Sequence, residues 1–233
     1  MKRNKTCTVC HYSTEQRNPE DRSRIKYGPS CESCHGASSV WQPIHFDYGG
    51  ANVNRESETA DHKTKRIADT RAAGMVWASM NYDIAAKCMR CHGLARAEIS
   101  GEAYGKMLEA GHPLNQSFDV VMFSQGLVRH WREARTPAKL ARLYIAGQAA
   151  KLVIASEAAA NLDNAQYAAV QMKRANDAKA VLQSVAQAAV LIQSPSDANA
   201  RKMMQDIGQQ DLSGAVDGQI PCAEPDKANL WQC

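Results

Sequence analysis

The chain reads as a mostly α-helical protein, and three observations lead to that expectation. Its last hundred residues open helices at recognisable capping signals and repeat small apolar residues at helical spacing. Its earlier part offers short helical stretches among Gly, Pro and Asn. Bulky side chains are few, with 3 Phe and 7 Tyr in 233 residues, so side chains alone would build a thin core.

Taken in order, helical stretches are expected around Thr59–Met75, Tyr82–Cys91 and Glu102–Ala110. Thr136-Pro137 opens a longer helix, with Thr as N-cap and Pro at the first position, where its missing N–H does no harm. Leu140, Leu143, Tyr144, Gly147, Ala150, Ile154 and Ala158 form its apolar stripe. Asp163-Asn164-Ala165-Gln166 suggests a capping box for a second helix carrying Tyr167, Val170, Val181, Leu182, Val185, Ala189 and Ile192 on one side. The short link makes these two helices an Ala-rich antiparallel hairpin. Ser194-Pro195-Ser196-Asp197 opens a shorter helix that Gly208 could end, and the tail beyond is loop-like.

Six of the eight Cys fall into three identical arrangements: Cys7-Thr8-Val9-Cys10-His11, Cys31-Glu32-Ser33-Cys34-His35 and Cys88-Met89-Arg90-Cys91-His92. Cys-x-x-Cys-His attaches c-type haem, the thiols adding to the vinyl groups and the adjacent His becoming the proximal iron ligand. Zinc would not require a His after every second Cys, and three pairs would leave one without a partner pair. Three haem c groups are therefore the expected cofactors.

Every motif and every His lies before about residue 135, which sets expected domains at 1–135 and 136–233. The first would hold three haems, too many to wrap singly, so they should pack against one another and fill the core. Bis-His ligation needs further imidazoles, and four remain: His45, His62, His112 and His130. His112 sits in Gly111-His112-Pro113, an extended loop able to hold an imidazole toward a haem. His130 sits in Arg129-His130-Trp131-Arg132, where the Trp could lie along a porphyrin and the Arg residues could pair with propionates. His45 follows His35 closely enough to reach a neighbouring haem. His62 stands in a charged stretch that reads first as a solvated helix face, and it stays open as a further ligand. Met75 and Met80 are reserve ligands whose default is core filling.

The formal charge is +4, but haem propionates would contribute about −6 and ferric cores about +1 each, bringing the loaded protein near neutral. Nucleic-acid binding gains no support. No run approaches the roughly 18 apolar residues of a membrane span. Haem attachment normally follows export, so a periplasmic location with a removed signal peptide is expected. Cys222 and Cys233 have a spacing that a disulfide could close, and two unrelated thiols are an equal alternative.

The haem part resembles multihaem cytochromes of the c-554 type. The resemblance rests on Tyr27-Gly28-Pro29-Ser30-Cys31-Glu32-Ser33-Cys34-His35-Gly36 with Trp41 and His45, on Ala73-Gly74-Met75, on Gly111-His112-Pro113 and on the run Phe118 to Trp131. It covers about the first 135 residues and implies periplasmic electron carriage, stacked haems, and distal ligands at positions like His45, His112 and His130. That type has four haems, one of them able to stay five-coordinate, and this chain has three motifs, so the resemblance implies neither which haem is missing nor whether any iron stays open.

The expected function is electron transfer between a periplasmic dehydrogenase or quinol oxidase as donor and a reductase or oxidase as acceptor. Two other readings stand beside it. One is an enzyme acting on nitric oxide, hydroxylamine or peroxide at one open iron. The other is an electron-transfer subunit of a larger cytochrome complex, with the hairpin as contact; the hairpin itself reads first as a structural brace for the haem part and otherwise as a docking or self-association surface.

Overall fold

The computed structural model describes residues 2–16, 18, 20–114, 118–125, 135–160 and 163–221. The protein is mostly helical, with eleven α-helices and one small sheet among the described residues. It divides into two compact units, Met1–Met80 and Asn81–Cys233. The sequence pattern placed a break near residue 135; the division between units instead falls just ahead of the third motif, which shares a unit with the Ala-rich hairpin.

In the first unit, α1 (Lys5–His11), α2 (Cys31–His35), α3 (Ser38–His45) and α4 (Ala60–Ala72) follow in order, with long connections before α2 and after α3 and only Gly36-Ala37 between those two helices. An antiparallel hairpin that the sequence did not signal links α1 to α2. Its strands β1 (Ser13–Glu15) and β2 (Arg24–Tyr27) pair Ser13 with Tyr27 and Thr14 with Ile25, with a bulge between Ser13 and Thr14. The hairpin fixes the start of α2, because the Ser30 N–H donates to Ser13 Oγ at 3.1 Å. Helix α3 packs on α4. Among the described residues of this unit Met75 is the one buried hydrophobic side chain, beside buried Arg66 and Thr70. Tyr27, Val40 and Phe46 are exposed.

The second unit holds the apolar core. Its helices are α5 (Asn81–His92), α6 (Gly101–Glu109), α7 (Val120–Gln125), α8 (Pro137–Ala159), α9 (Ala165–Leu182), α10 (Ala189–Gln193) and α11 (Asp197–Ile207). Helix α8 is central: α5, α7, α9 and α11 all pack on it. Every residue from Leu143 to Ala155 is buried, so no face of that stretch is left to solvent. The Thr136 cap forms as expected, its hydroxyl accepting from the Lys139 N–H at 3.4 Å. Ser196 and Gly208 bound α11, also as expected.

The second helix of the hairpin differs from expectation in two ways. Asn164, not Asp163, is its cap, and the helix stops at Leu182 instead of running on to Ile192. Ser184 Oγ donates to the Val181 carbonyl at 2.8 Å, taking an acceptor that a continuing helix would use. A 3-10 turn (Ala186–Ala188) follows, then α10. Burial falls on Leu182, Val185, Ala188 and Leu191, every third residue, while Ala189 is exposed.

Asp119 lies buried just before α7 and accepts from the Val121 N–H at 2.7 Å and from Gln148 Nε2 at 3.3 Å. Burial pushes its carboxyl up from 3.8 to about 6, against the pull of those donors and of Lys151. An acid raised in the folded state favours folding most below its unfolded value, so stability falls as pH rises from 3.8 to about 6. That rise corresponds to about 3 kcal/mol. Denaturant titrations of the second unit's unfolding across that range should show the decline in the parent chain and a nearly flat profile in Asp119→Asn.

Candidate cofactor sites

Each Cys-x-x-Cys-His motif occupies the last turn of a helix, and its His is the final helical residue: His11 in α1, His35 in α2 and His92 in α5. Positions i, i+3 and i+4 of one helix lie on a common face, so both Cys and the His share a side in all three cases. Five of the six Cys are half-buried and Cys31 is exposed.

The first motif is set by Asn4, whose Oδ1 accepts from the Thr6 N–H at 2.9 Å and caps α1. The second is held more firmly. The Ser30 N–H donates to Ser33 Oγ at 3.1 Å, and Glu32, one of the two residues between the cysteines, accepts from the Ser38 N–H at 2.6 Å and so anchors α3. Those Ser38 bonds hold the Glu32 carboxyl below its usual range.

His35 is fixed by a reciprocal pair. Its carbonyl accepts from the Val76 N–H at 3.0 Å, and its Nδ1 lies 2.7 Å from the Val76 carbonyl. A carbonyl only accepts, so Nδ1 carries the proton and the Nε2 lone pair is the ligating one, the tautomer that a metal-bound imidazole needs. Val76 reaches that place because α4 ends in a Schellman turn: Gly74 N–H bonds Arg71 O at 3.0 Å and Met75 N–H bonds Thr70 O at 2.9 Å. Gly36, directly after His35, has φ +84, and a Cβ there would run into the Gly74 carbonyl oxygen.

In the third motif both residues between the cysteines are used as anchors. Met89 is buried, and Arg90 pairs with Glu157 of α8 at 2.8 Å. The chain leaves α5 through another Schellman turn, with Leu94 N–H on Cys91 O at 3.1 Å and Ala95 N–H on Arg90 O at 3.0 Å. Helix α9 grips that turn: Tyr167 OH donates to Leu94 O at 2.6 Å and Gln171 Nε2 to Gly93 O at 2.7 Å. The His92 ring stacks on Phe118, with centroids 4.1 Å apart and planes 10° from parallel.

Two of the three favoured distal candidates are described. His112 follows the Schellman end of α6, its N–H on Met107 O at 2.8 Å, and its Nδ1 faces the Pro113 carbonyl at 3.0 Å. The same tautomer argument assigns its lone pair to Nε2. His45 ends α3 among the rings of Trp41, Phe46 and Trp77, and its buried Nδ1 has no hydrogen-bond partner. Burial, helped by the charges of Arg66 and Arg55, pushes its pKa down, which favours the neutral imidazole that iron would bind. His130 lies outside the described residues, as do Cys222 and Cys233.

His62 is placed by Glu58 and Arg66. Its Nδ1 meets Glu58 Oε1 at 2.7 Å, and Arg66 clamps the same carboxylate through Nε at 2.7 Å and Nη2 at 2.6 Å. The bonds from Arg66, before those from His62, hold Glu58 at about 2, so it stays ionised. Arg66 also stacks over Tyr48 at 4.8 Å and donates to the His45 carbonyl at 3.0 Å. A signal was there to be read: Glu58, His62 and Arg66 are spaced four apart along a helix start.

The residues fit c-type haem in their chemistry. Thiol pairs and imidazoles share helical faces, the His35 and His112 tautomers suit ligation through Nε2, and the described residues of the first unit form almost no hydrocarbon core of their own. Among the described residues no group of three or more His, Cys, Asp or Glu side chains is arranged to hold a metal ion by itself, and no helix is long and apolar enough to cross a membrane. Comparison with family models, curated proteins and solved structures finds no match to this chain.

Gly36→Ala tests the geometry around His35. The left-handed φ and the Gly74 carbonyl together should cost about 2 kcal/mol or more, read as earlier thermal unfolding of the first unit.

Proposed function

We propose that the chain binds three haems covalently through Cys7 and Cys10, Cys31 and Cys34, and Cys88 and Cys91, with His11, His35 and His92 as proximal ligands. It would pass electrons between redox partners outside the cytoplasm, a dehydrogenase or quinol oxidase on one side and a reductase or oxidase on the other. The observation that carries this reading is the shared placement of the three motifs, each ending a helix at its His. Haem c would supply reversible one-electron chemistry at iron, with little change of structure between its two states.

The chain's own residues have three tasks in this reading. The cysteine pairs set the edge and tilt of each macrocycle through two fixed bonds on one helical turn. The Val76 and Pro113 carbonyls fix the tautomers of His35 and His112, and so the direction of their lone pairs. His45, His112 and His130 are the favoured second ligands; filling both axial positions leaves iron low-spin and closed to substrates.

The exported protein should retain colour after denaturation and acid-acetone extraction, and gain the mass of three macrocycles. Cys88→Ala with Cys91→Ala should lower that count to two. A wholly low-spin ferric spectrum, with no shift of the reduced visible bands under carbon monoxide, is the result expected of an electron carrier. A high-spin fraction with carbon monoxide binding would favour a small-molecule enzyme instead. A colourless polypeptide would remove the proposal altogether.

A further inference from the structure

His62 was expected on a solvated face, yet the chain spends two buried charges on it. The side chain of Glu58 is 1% exposed and that of Arg66 5%, while His62 keeps 30%. Burying an ion pair is not by itself a route to stability, because desolvation offsets the attraction. Here the pair does a specific geometric job. Glu58 accepts the Nδ1 proton, which assigns the lone pair of His62 to Nε2.

The ring is also covered by backbone. Gly49 has φ +96, and a Cβ there would come within 2.9 Å of His62 Cδ2, so the backbone approaches the imidazole more closely than any other residue would allow. The Thr59 hydroxyl accepts from the His62 N–H at 3.3 Å and holds the same turn from its backbone. Carboxylate, imidazole and an Nε2 lone pair in line form the arrangement that orients a metal-binding histidine and strengthens its donation.

The distribution of histidines points the same way. Met1–Met80 contains two attachment motifs and, apart from their His11 and His35, only His45 and His62. Two second ligands for two irons are thus available inside one compact unit, if His62 serves.

We propose that His62 is an axial ligand to one of the haems attached within Met1–Met80, with His45 serving the other, so that only one of His112 and His130 is needed for the third iron, and that Glu58 is the positioning residue that fixes the His62 tautomer and increases its donation to iron. This rests on the haem reading above. A negative partner at Nδ1 favours the ferric state, so Glu58 lowers the potential of the haem that His62 serves.

The test uses the full chain matured with haem, as parent, His62→Ala and Glu58→Gln. Attached haem is counted by the mass of the denatured protein, spin state by paramagnetic resonance, and potentials by a redox titration. The parent should carry three haems; a parent without them defeats the haem reading before any variant is compared. His62→Ala should keep three attached haems, turn one third of the iron high-spin, and return to low-spin with added imidazole. Glu58→Gln should stay low-spin and raise the midpoint of one component. If His62→Ala remains wholly low-spin with the parent's potentials, His62 is a structural clamp and the proposal is overturned. Should that variant not accumulate, Glu58→Gln decides alone, and unchanged potentials overturn the proposal.

Discussion

The distribution of buried hydrocarbon governs the rest of this structure. Nearly all of it lies after residue 80, around α8, while the described part of the first unit buries a single hydrophobic side chain. Ordering a residue costs on the order of 1–2 kcal/mol in backbone entropy, and one buried Met cannot offset that over eighty residues. What the chain does supply there is directional: capped turns, a hairpin, a clamped carboxylate and reciprocal backbone bonds. Such contacts set positions but contribute little net stability each. A unit built this way needs a large apolar body to close around, and in the proposed function two macrocycles take that role.

Within that constraint, the residues between the cysteines distinguish the second and third motifs. Glu32 reaches the start of the next helix, whereas Met89 and Arg90 tie the third motif to the body of the helical hairpin. The histidines are fixed by different means as well: a distant backbone carbonyl for His35, an adjacent one for His112, a carboxylate for His62 and an aromatic stack for His92. Neutral and charged partners at Nδ1 give unequal ligand strength. In the proposed function, a chain using both kinds would hold its irons at different potentials.

The long helices were legible because their signals are local. Thr136-Pro137, Ser196 and Gly208 each act on the backbone beside them, and each bounds its helix as read. The three Cys-x-x-Cys-His runs are local in the same sense, each falling within the last turn of one helix. Distant pairings were not legible. Nothing adjacent to His35 announces the Val76 carbonyl, and the buried face of α9 includes Gln171 and Arg174, which a hydrophobic stripe leaves out. The early break of α9 turned on one hydroxyl, Ser184, competing for a carbonyl. A charged stretch such as the one around His62 does not tell which charges face solvent, and here Glu58 and Arg66 fold inward onto each other.

The Ala-rich hairpin can be given a role from the turn that follows the third motif. A Schellman turn wants Gly at its left-handed position, and α4 and α6 have Gly74 and Gly111 there, but α5 has Leu94 at φ +52. A bulky residue in that conformation costs on the order of 1–3 kcal/mol and persists only where its surroundings over-determine it. Helix α9 provides that over-determination, with Tyr167 and Gln171 bonded to the two carbonyls at the turn and the Leu94 side chain buried. Alanine is what lets α9 and α8 lie close enough to do so, since small residues let helix axes approach. The hairpin is thus a brace whose packing holds a strained turn directly behind His92. A motif in the first unit, without such a brace, must rely on its caps and on whatever it encloses.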